Sequence, residues 1–295
     1  MAQSDNLRGI ILMVAAMAGF AAEDMFIKFA AADLPAGLIL LAIGLIGGTV
    51  FAGMARVQGQ RTFARTALHP AVIGRNLGEV LGTFGFVTAL TLAPLSTVSA
   101  VAQAMPLFVT MGAALFLGEA VGWRRWTAIV VGFAGVVLIV RPGMEGFDPN
   151  VLWAVLAVIG LGGRDLFTRR IPAAISTAQL SVWGFLSVAA LGAVMLAITG
   201  GSQWPTLAQA GYIGGALAFG IGAYWALTKA NRLGEMSVIT PFRYSRLIFA
   251  LLIGILIFGE SPDVITLSGA ALIIGSGLYT FARERARTRA AASKA

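Results

Sequence analysis

Cysteine is missing from this 295-residue chain, and histidine occurs once, as His69. The first absence excludes a disulfide framework and thiolate chemistry. The second leaves no partners for a His-rich metal site, so neither a metal nor a cofactor is expected. Charge is scarce as well. Asp, Glu, Lys and Arg make up 12% of the chain, where a soluble domain carries roughly 25%. Acids are the rarer sign, 13 against 21 Lys and Arg. No Gly-x-x-x-x-Gly-Lys-Ser/Thr loop is present to hold nucleotide phosphates. Proline is sparse inside the apolar runs: Pro35, Pro70, Pro94, Pro142, Pro149, Pro172, Pro205 and Pro262 sit at or near their ends. Pro106 and Pro241 are the exceptions.

What remains is apolar. Hydrophobic residues are 58% of the chain and mean hydropathy is +0.86. They come in stretches of about 20, the length that spans a bilayer core, without the polar face a soluble helix needs. The expected fold is an all-α membrane protein with ten spanning helices. They lie near 8–31, 36–56, 69–92, 96–119, 124–141, 150–171, 177–199, 206–231, 236–259 and 264–284. Connections are short, so sequence neighbours should be antiparallel neighbours. The first run exceeds a signal-peptide h-region in length and contains Glu23 and Asp24, which mark a permanent span. The 37 glycines read as close helix packing.

The chain also matches itself. A shift of 141 positions aligns the halves without a gap: Asp24 falls on Asp165, Phe26 on Phe167, Lys28 on Arg169, Ser96 on Ser237, Phe108 on Phe249, and Gly118-Glu119 on Gly259-Glu260. Residues 1–141 form one five-helix repeat and 142–284 a second; 285–295 form a basic cytoplasmic tail. Five is odd, so the second repeat enters the membrane inverted. Inverted repeats are a signature of secondary transporters, with the site between repeats near the midplane. With the N-terminus inside, 15 of the 21 Lys and Arg fall on the cytoplasmic side and only Lys28 and Arg141 outside. This positive-inside bias puts both termini in the cytoplasm. It also explains the net charge of +8 without nucleic acid as a partner.

Charges within spanning helices are costly and mark a pathway, a relay or a pair. Asp24 with Lys28, and Asp165 with Arg169, stand at i,i+4 and can pair on a helix surface. Pairing or a gate clasp is favoured for them; direct substrate contact is the alternative. Glu23, Arg75, Glu79, Arg164, Arg243 and Arg246 are not repeated: their equivalents are Arg164, Ala216, Gly220, Glu23, Ala102 and Met105. At about 1.5 Å rise per residue, Arg75, Arg164 and Arg243 lie roughly 10 Å deep, and Glu79 and Arg246 roughly 15 Å deep. We expect a Glu79–Arg246 contact at the midplane above a cytoplasmic-side arginine cluster. Surplus guanidinium charge, which Arg cannot shed, suits an anionic substrate group. Tyr244 and Trp225 are candidates to stack on a planar ring. Glu23 and Glu79, with Asp24 and Asp165, are the candidate coupling or gating groups, because a buried carboxylate can exchange a proton near neutral pH. Glu119 and Glu260, at helix ends, read as loop geometry.

Leu115-Phe116-Leu117-Gly118-Glu119 and Leu256-Ile257-Phe258-Gly259-Glu260 close the fourth helix of each half. With Ala93-Pro94-Leu95, Met105-Pro106-Leu107 and the duplication, the chain resembles the EamA family of the drug/metabolite transporter superfamily over nearly its whole length. Pro241 to Leu247 is similar to a subgroup assigned to S-adenosylmethionine or riboflavin-type uptake. The resemblance implies two intertwined five-helix bundles around a central cavity and alternating access without ATP. The expectation is therefore a bacterial inner-membrane transporter, monomeric or homodimeric, of a small amphipathic metabolite with an anionic group. Protons are the candidate coupling ion and the bilayer the other partner. Export of amino acids or related metabolites is the alternative, and a non-transporting bundle or receptor a distant one. An intramembrane enzyme would need a nucleophile–base pair or metal cluster that this composition does not offer.

Overall fold

The computed structural model describes residues 2–60, 62, 65–172, 174–200, 204–233 and 239–292. All its regular elements are helical. They are α1 (Ala2–Ala31), α2 (Ala36–Val57), α3 (Pro70–Leu92), α4 (Leu95–Ala102), α5 (Met105–Phe116), α6 (Trp123–Val140), α7 (Leu152–Thr168), α8 (Thr177–Thr199), α9 (Leu207–Leu233), α10 (Ser245–Phe258) and α11 (Val264–Ala292). Short 3₁₀ turns cover Arg65–Leu68, Pro149–Val151 and Thr240–Tyr244. Among the described residues, nine segments are long and apolar enough to cross a membrane. The expected span at 69–92 is α3, 23 residues long, but Arg75, Asn76 and Glu79 keep it out of that set.

Element ends follow from local chemistry. Pro35 and Pro94 precede α2 and α4 with extended ψ of 135° and 137°, the conformation proline favours ahead of a helix. Ser176 and Gln179 form a reciprocal capping box at α8. Gly118 and Gly259 take φ of 70° and 65°, and the following Glu119 and Glu260 N–H groups return to the Ala113 and Gly254 carbonyls at 3.2 and 2.9 Å. Each bond reaches back six residues, and the left-handed glycine before it turns the chain back over the helix end. The expected single helix at 96–119 is broken into α4 and α5 at Gln103–Ala104. Pro106 has no N–H for the Ala102 carbonyl and its ring crowds that carbonyl. In the second half the described part of the matching span holds Pro241 in a 3₁₀ turn and continues as α10. The equivalence of Ser96 with Ser237 falls outside the described residues. Residues 285–292, expected as tail, continue α11.

The chain divides into two compact units, with boundaries inside α1 and α9. The first holds Met1–Met25, Ala93–Val151 and Ala218–Ala295; the second holds Phe26–Leu92 and Leu152–Leu217. In the first, α6 packs on α11 where a Cβ on Gly135 or on Gly269 would meet the other's carbonyl at 2.6 Å. Met13, Ala16 and Met17 of α1 cluster with Ala226 and Ala230 of α9 and with Ile239. In the second unit, α2 lies against α8 and α3 against α7. Gly82 of α3 approaches Leu161 so closely that a Cβ would sit 2.6 Å from its backbone nitrogen. Such glycine contacts substitute for the hydrophobic drive that lipid does not supply between helices. Ile198 and Leu256 are 79% and 78% exposed, as a lipid-facing surface requires.

Candidate functional site

Each unit carries its own set of charges. In the first unit, Asp24 on α1 is 1% exposed. Both its oxygens accept from Arg246 Nη2 on α10, Oδ1 at 2.9 Å and Oδ2 at 2.7 Å. The same guanidinium lies over the Phe20 ring, 5.4 Å from its centroid, within cation–π range. Glu23, next along α1, is half-buried with Gly220 of α9 against it: a Cβ there would come within 2.6 Å of Oε1. Arg243 is exposed on the 3₁₀ turn, one turn before Arg246.

In the second unit, Glu79 of α3 divides its oxygens between two arginines. Oε2 faces Arg75 Nη2 at 3.2 Å and Oε1 accepts from Arg164 Nη1 of α7 at 3.2 Å. Arg164 continues to Asp165 through Nε at 2.9 Å and Nη2 at 2.8 Å. Arg75 Nη1 donates to Asn76 Oδ1 at 3.0 Å. The result is a half-buried chain running from Asn76 to Asp165 with two positive and two negative groups.

These partners correct the sequence expectations. For the residues of the expected Glu79–Arg246 contact, the structure gives partners within each unit: Glu79 meets Arg75 and Arg164, and Arg246 meets Asp24. Asp24 serves Arg246, while the Lys28 ammonium donates to the Leu90 carbonyl at 3.2 Å. Among the arginines of the expected cluster, Arg75 and Arg164 pair with Glu79 and Asp165, and Arg246 pairs with Asp24. Tyr244 is buried against Gly277 of α11. Trp225 is 58% exposed, with the Lys229 ammonium 5.5 Å above its ring. Among the described residues, no three His, Asp or Glu side chains gather as metal ligands would.

One contact escaped the sequence reading. Glu260, after α10, caps α4: its carboxylate accepts from Leu95 N at 2.6 Å and from Ser96 N at 2.9 Å. A carboxylate at a helix start satisfies N–H groups that have no intrahelical acceptor and meets the positive end of the dipole. The repeated Gly-Glu was the available signal, but only the fold reveals that Glu260 acts 165 residues away.

A model of the EamA-like transporter family matches residues 7–141 and 149–282. The S-adenosylmethionine uptake transporter of Rickettsia felis is 31% identical over 216 residues, 72% of this chain and 71% of the relative. A riboflavin transporter of Vibrio cholerae is 27% identical over 292 residues, 96% of each. A pseudopaline exporter of Pseudomonas aeruginosa is 27% identical over 270 residues, 90% of this chain and 93% of the relative. A solved structure at 21% identity covers 89% of this chain and 96% of its own, with a TM-score of 0.59, and shares the fold.

Proposed function

Because the chain belongs to the EamA-like transporter family of multi-pass membrane proteins, we propose that it is a secondary transporter rather than an enzyme. It moves a small amphipathic metabolite across a bacterial inner membrane by alternating access. Uptake of an S-adenosylmethionine-like or riboflavin-like compound is the favoured direction. The likeness to an uptake transporter over 72% of the chain supports this choice. The pseudopaline exporter, alike over 90% of the chain, supports export as the second reading.

Ten spans in two inverted repeats with both termini inside remain the proposed topology. Equivalent crossings support it. Gly160 meets Gly82 between α7 and α3, and the 141-residue equivalents of that pair, Gly19 and Ala223, meet between α1 and α9. Arg164 with Glu79 is matched by Glu23 with Gly220 in the same way.

The observation that carries the mechanism is the Asp24–Arg246 pair beside Glu23. A substrate carboxylate competes with Asp24 for Arg246, and a proton on Asp24 or Glu23 weakens the hold on that guanidinium. Arg243, exposed one turn away, anchors the anionic group, and Tyr244 and Trp225 remain the candidates to stack on a planar ring. Arg75 and Arg164 are the further substrate-binding arginines, and Glu79 and Asp165 the further coupling or gating carboxylates. The test is flux of labelled S-adenosylmethionine, riboflavin and a metabolite panel into proteoliposomes, with and without a pH gradient. Saturable, gradient-stimulated uptake of one compound supports the reading. Flux no greater than in protein-free vesicles across the panel overturns it.

A further inference from the structure

We propose that the groove between α6 and α11 is a binding site for an anionic phospholipid. A cavity of about 260 Å³ lies there, lined by Thr127, Ala128 and Val131 of α6 and by Ser276 and Tyr279 of α11. The two helices run antiparallel. Gly132 faces Ser276 while Gly135 faces Gly269, Leu272 and Ile273, so the start of α6 meets the stretch of α11 beyond Tyr279. Both groove walls continue into basic and aromatic residues at that end. On α6, Trp123 stands four residues before Thr127 and Arg124 three before it, one face of the helix. Trp123 is 71% exposed, and the Arg124 guanidinium lies 5.2 Å from its ring centroid. On α11, Arg283 follows Tyr279 at i+4 and Ser276 at i+7.

The charge at this end is mostly basic. The sequence of α6 contains Arg124 and Arg125 and no Asp or Glu, and α11 beyond Tyr279 carries Arg283, Arg285, Arg287 and Arg289 against the single acid Glu284. A mildly polar slot between apolar helices, opening onto arginines and interfacial aromatics, fits an acyl chain below and a phosphate headgroup above. Basic pockets between membrane helices are recognised by anionic headgroups, each Lys or Arg near the surface adding ~1 kcal/mol. Two arginines then correspond to roughly 30-fold in affinity. A zwitterionic lipid gains little from them, so the occupant is phosphatidylglycerol or cardiolipin rather than phosphatidylcholine.

The experiment is native mass spectrometry of the full chain, titrated with cardiolipin, phosphatidylglycerol or phosphatidylcholine. Wild type, Arg124→Gln/Arg283→Gln and Val131→Trp are compared after their melting temperatures are checked for folding. We expect retention of the anionic lipids over phosphatidylcholine. The preference should fall by roughly 30-fold in the arginine variant and be lost when Trp fills the groove. Equal retention of all three lipids, or an unchanged preference in the arginine variant, would overturn the site. Loss in the arginine variant with full retention in Val131→Trp would overturn the groove and leave only diffuse surface attraction.

Discussion

Removing Arg246 should destabilise the protein more than removing the charge it pairs with. Asp24 is 1% exposed, and both its oxygens end on Arg246 Nη2 at 2.9 and 2.7 Å. Arg246→Ala leaves that carboxylate buried without its counter-charge, a change that costs about 3–5 kcal/mol. It also removes the guanidinium from the Phe20 face, worth about 0.5–1 kcal/mol more. Asp24→Asn keeps shape and one acceptor, and the Arg246 side chain is 25% exposed, so water recovers part of the loss; about 1–2 kcal/mol is expected. The double variant Asp24→Asn/Arg246→Ala strands no charge and should be more stable than Arg246→Ala alone, giving a coupling of about 1.5–3 kcal/mol. Denaturant unfolding of the four proteins in one detergent closes the cycle. Additive effects, or Arg246→Ala within 0.5 kcal/mol of wild type (about the additivity error), would refute the reasoning that this pair compensates a buried charge.

Glu260→Ala should cost about 1.5–3 kcal/mol by uncapping two α4 N–H groups, with Glu260→Gln intermediate; Glu260→Ala as stable as wild type in the same unfolding assay would contradict the cap. Arg141 and the Thr266 N–H and hydroxyl hold the Asp263 carboxyl well below the usual carboxylate range. Its stabilisation is therefore present above the ordinary carboxylate pKa and lost progressively as pH falls from there through the lower folded value, so the stability gap between wild type and Asp263→Asn should be constant from pH 7 to pH 5 and narrow toward pH 3. The side chain is 47% exposed, so salt should shrink that gap, and a gap that widens with acid would reverse the assignment. Gly135→Leu should separate α6 from α11, because even a Cβ reaches the Gly269 carbonyl at 2.6 Å; a melting temperature equal to wild type would contradict that crossing.

Helix positions were legible because apolar runs and prolines record them directly: 36–56 became Ala36–Val57 and 177–199 became Thr177–Thr199. Pro106 announced the break between α4 and α5. The long-range charged contacts were not legible, because Asp24 finds Arg246 across 222 residues and Glu79 finds Arg164 across 85. Local spacing offered Lys28 and Arg169 as easier partners for the two Asp residues. The repeat held the missing information. Glu23 matches Arg164 and Gly220 matches Glu79, so one pair of equivalent positions carries the ion pair in one unit and a carboxylate against glycine in the other. Chain equivalence alone does not say which helices cross.

The account rests on Arg243 and the Asp24–Arg246 pair forming the working site of a transporter. Its most direct test is substrate flux in proteoliposomes carrying equal amounts of folded wild-type or Arg243→Ala protein. The account predicts saturable flux of an amphipathic metabolite through the wild type and flux at the protein-free background through the variant. Equal flux through both proteins would contradict it.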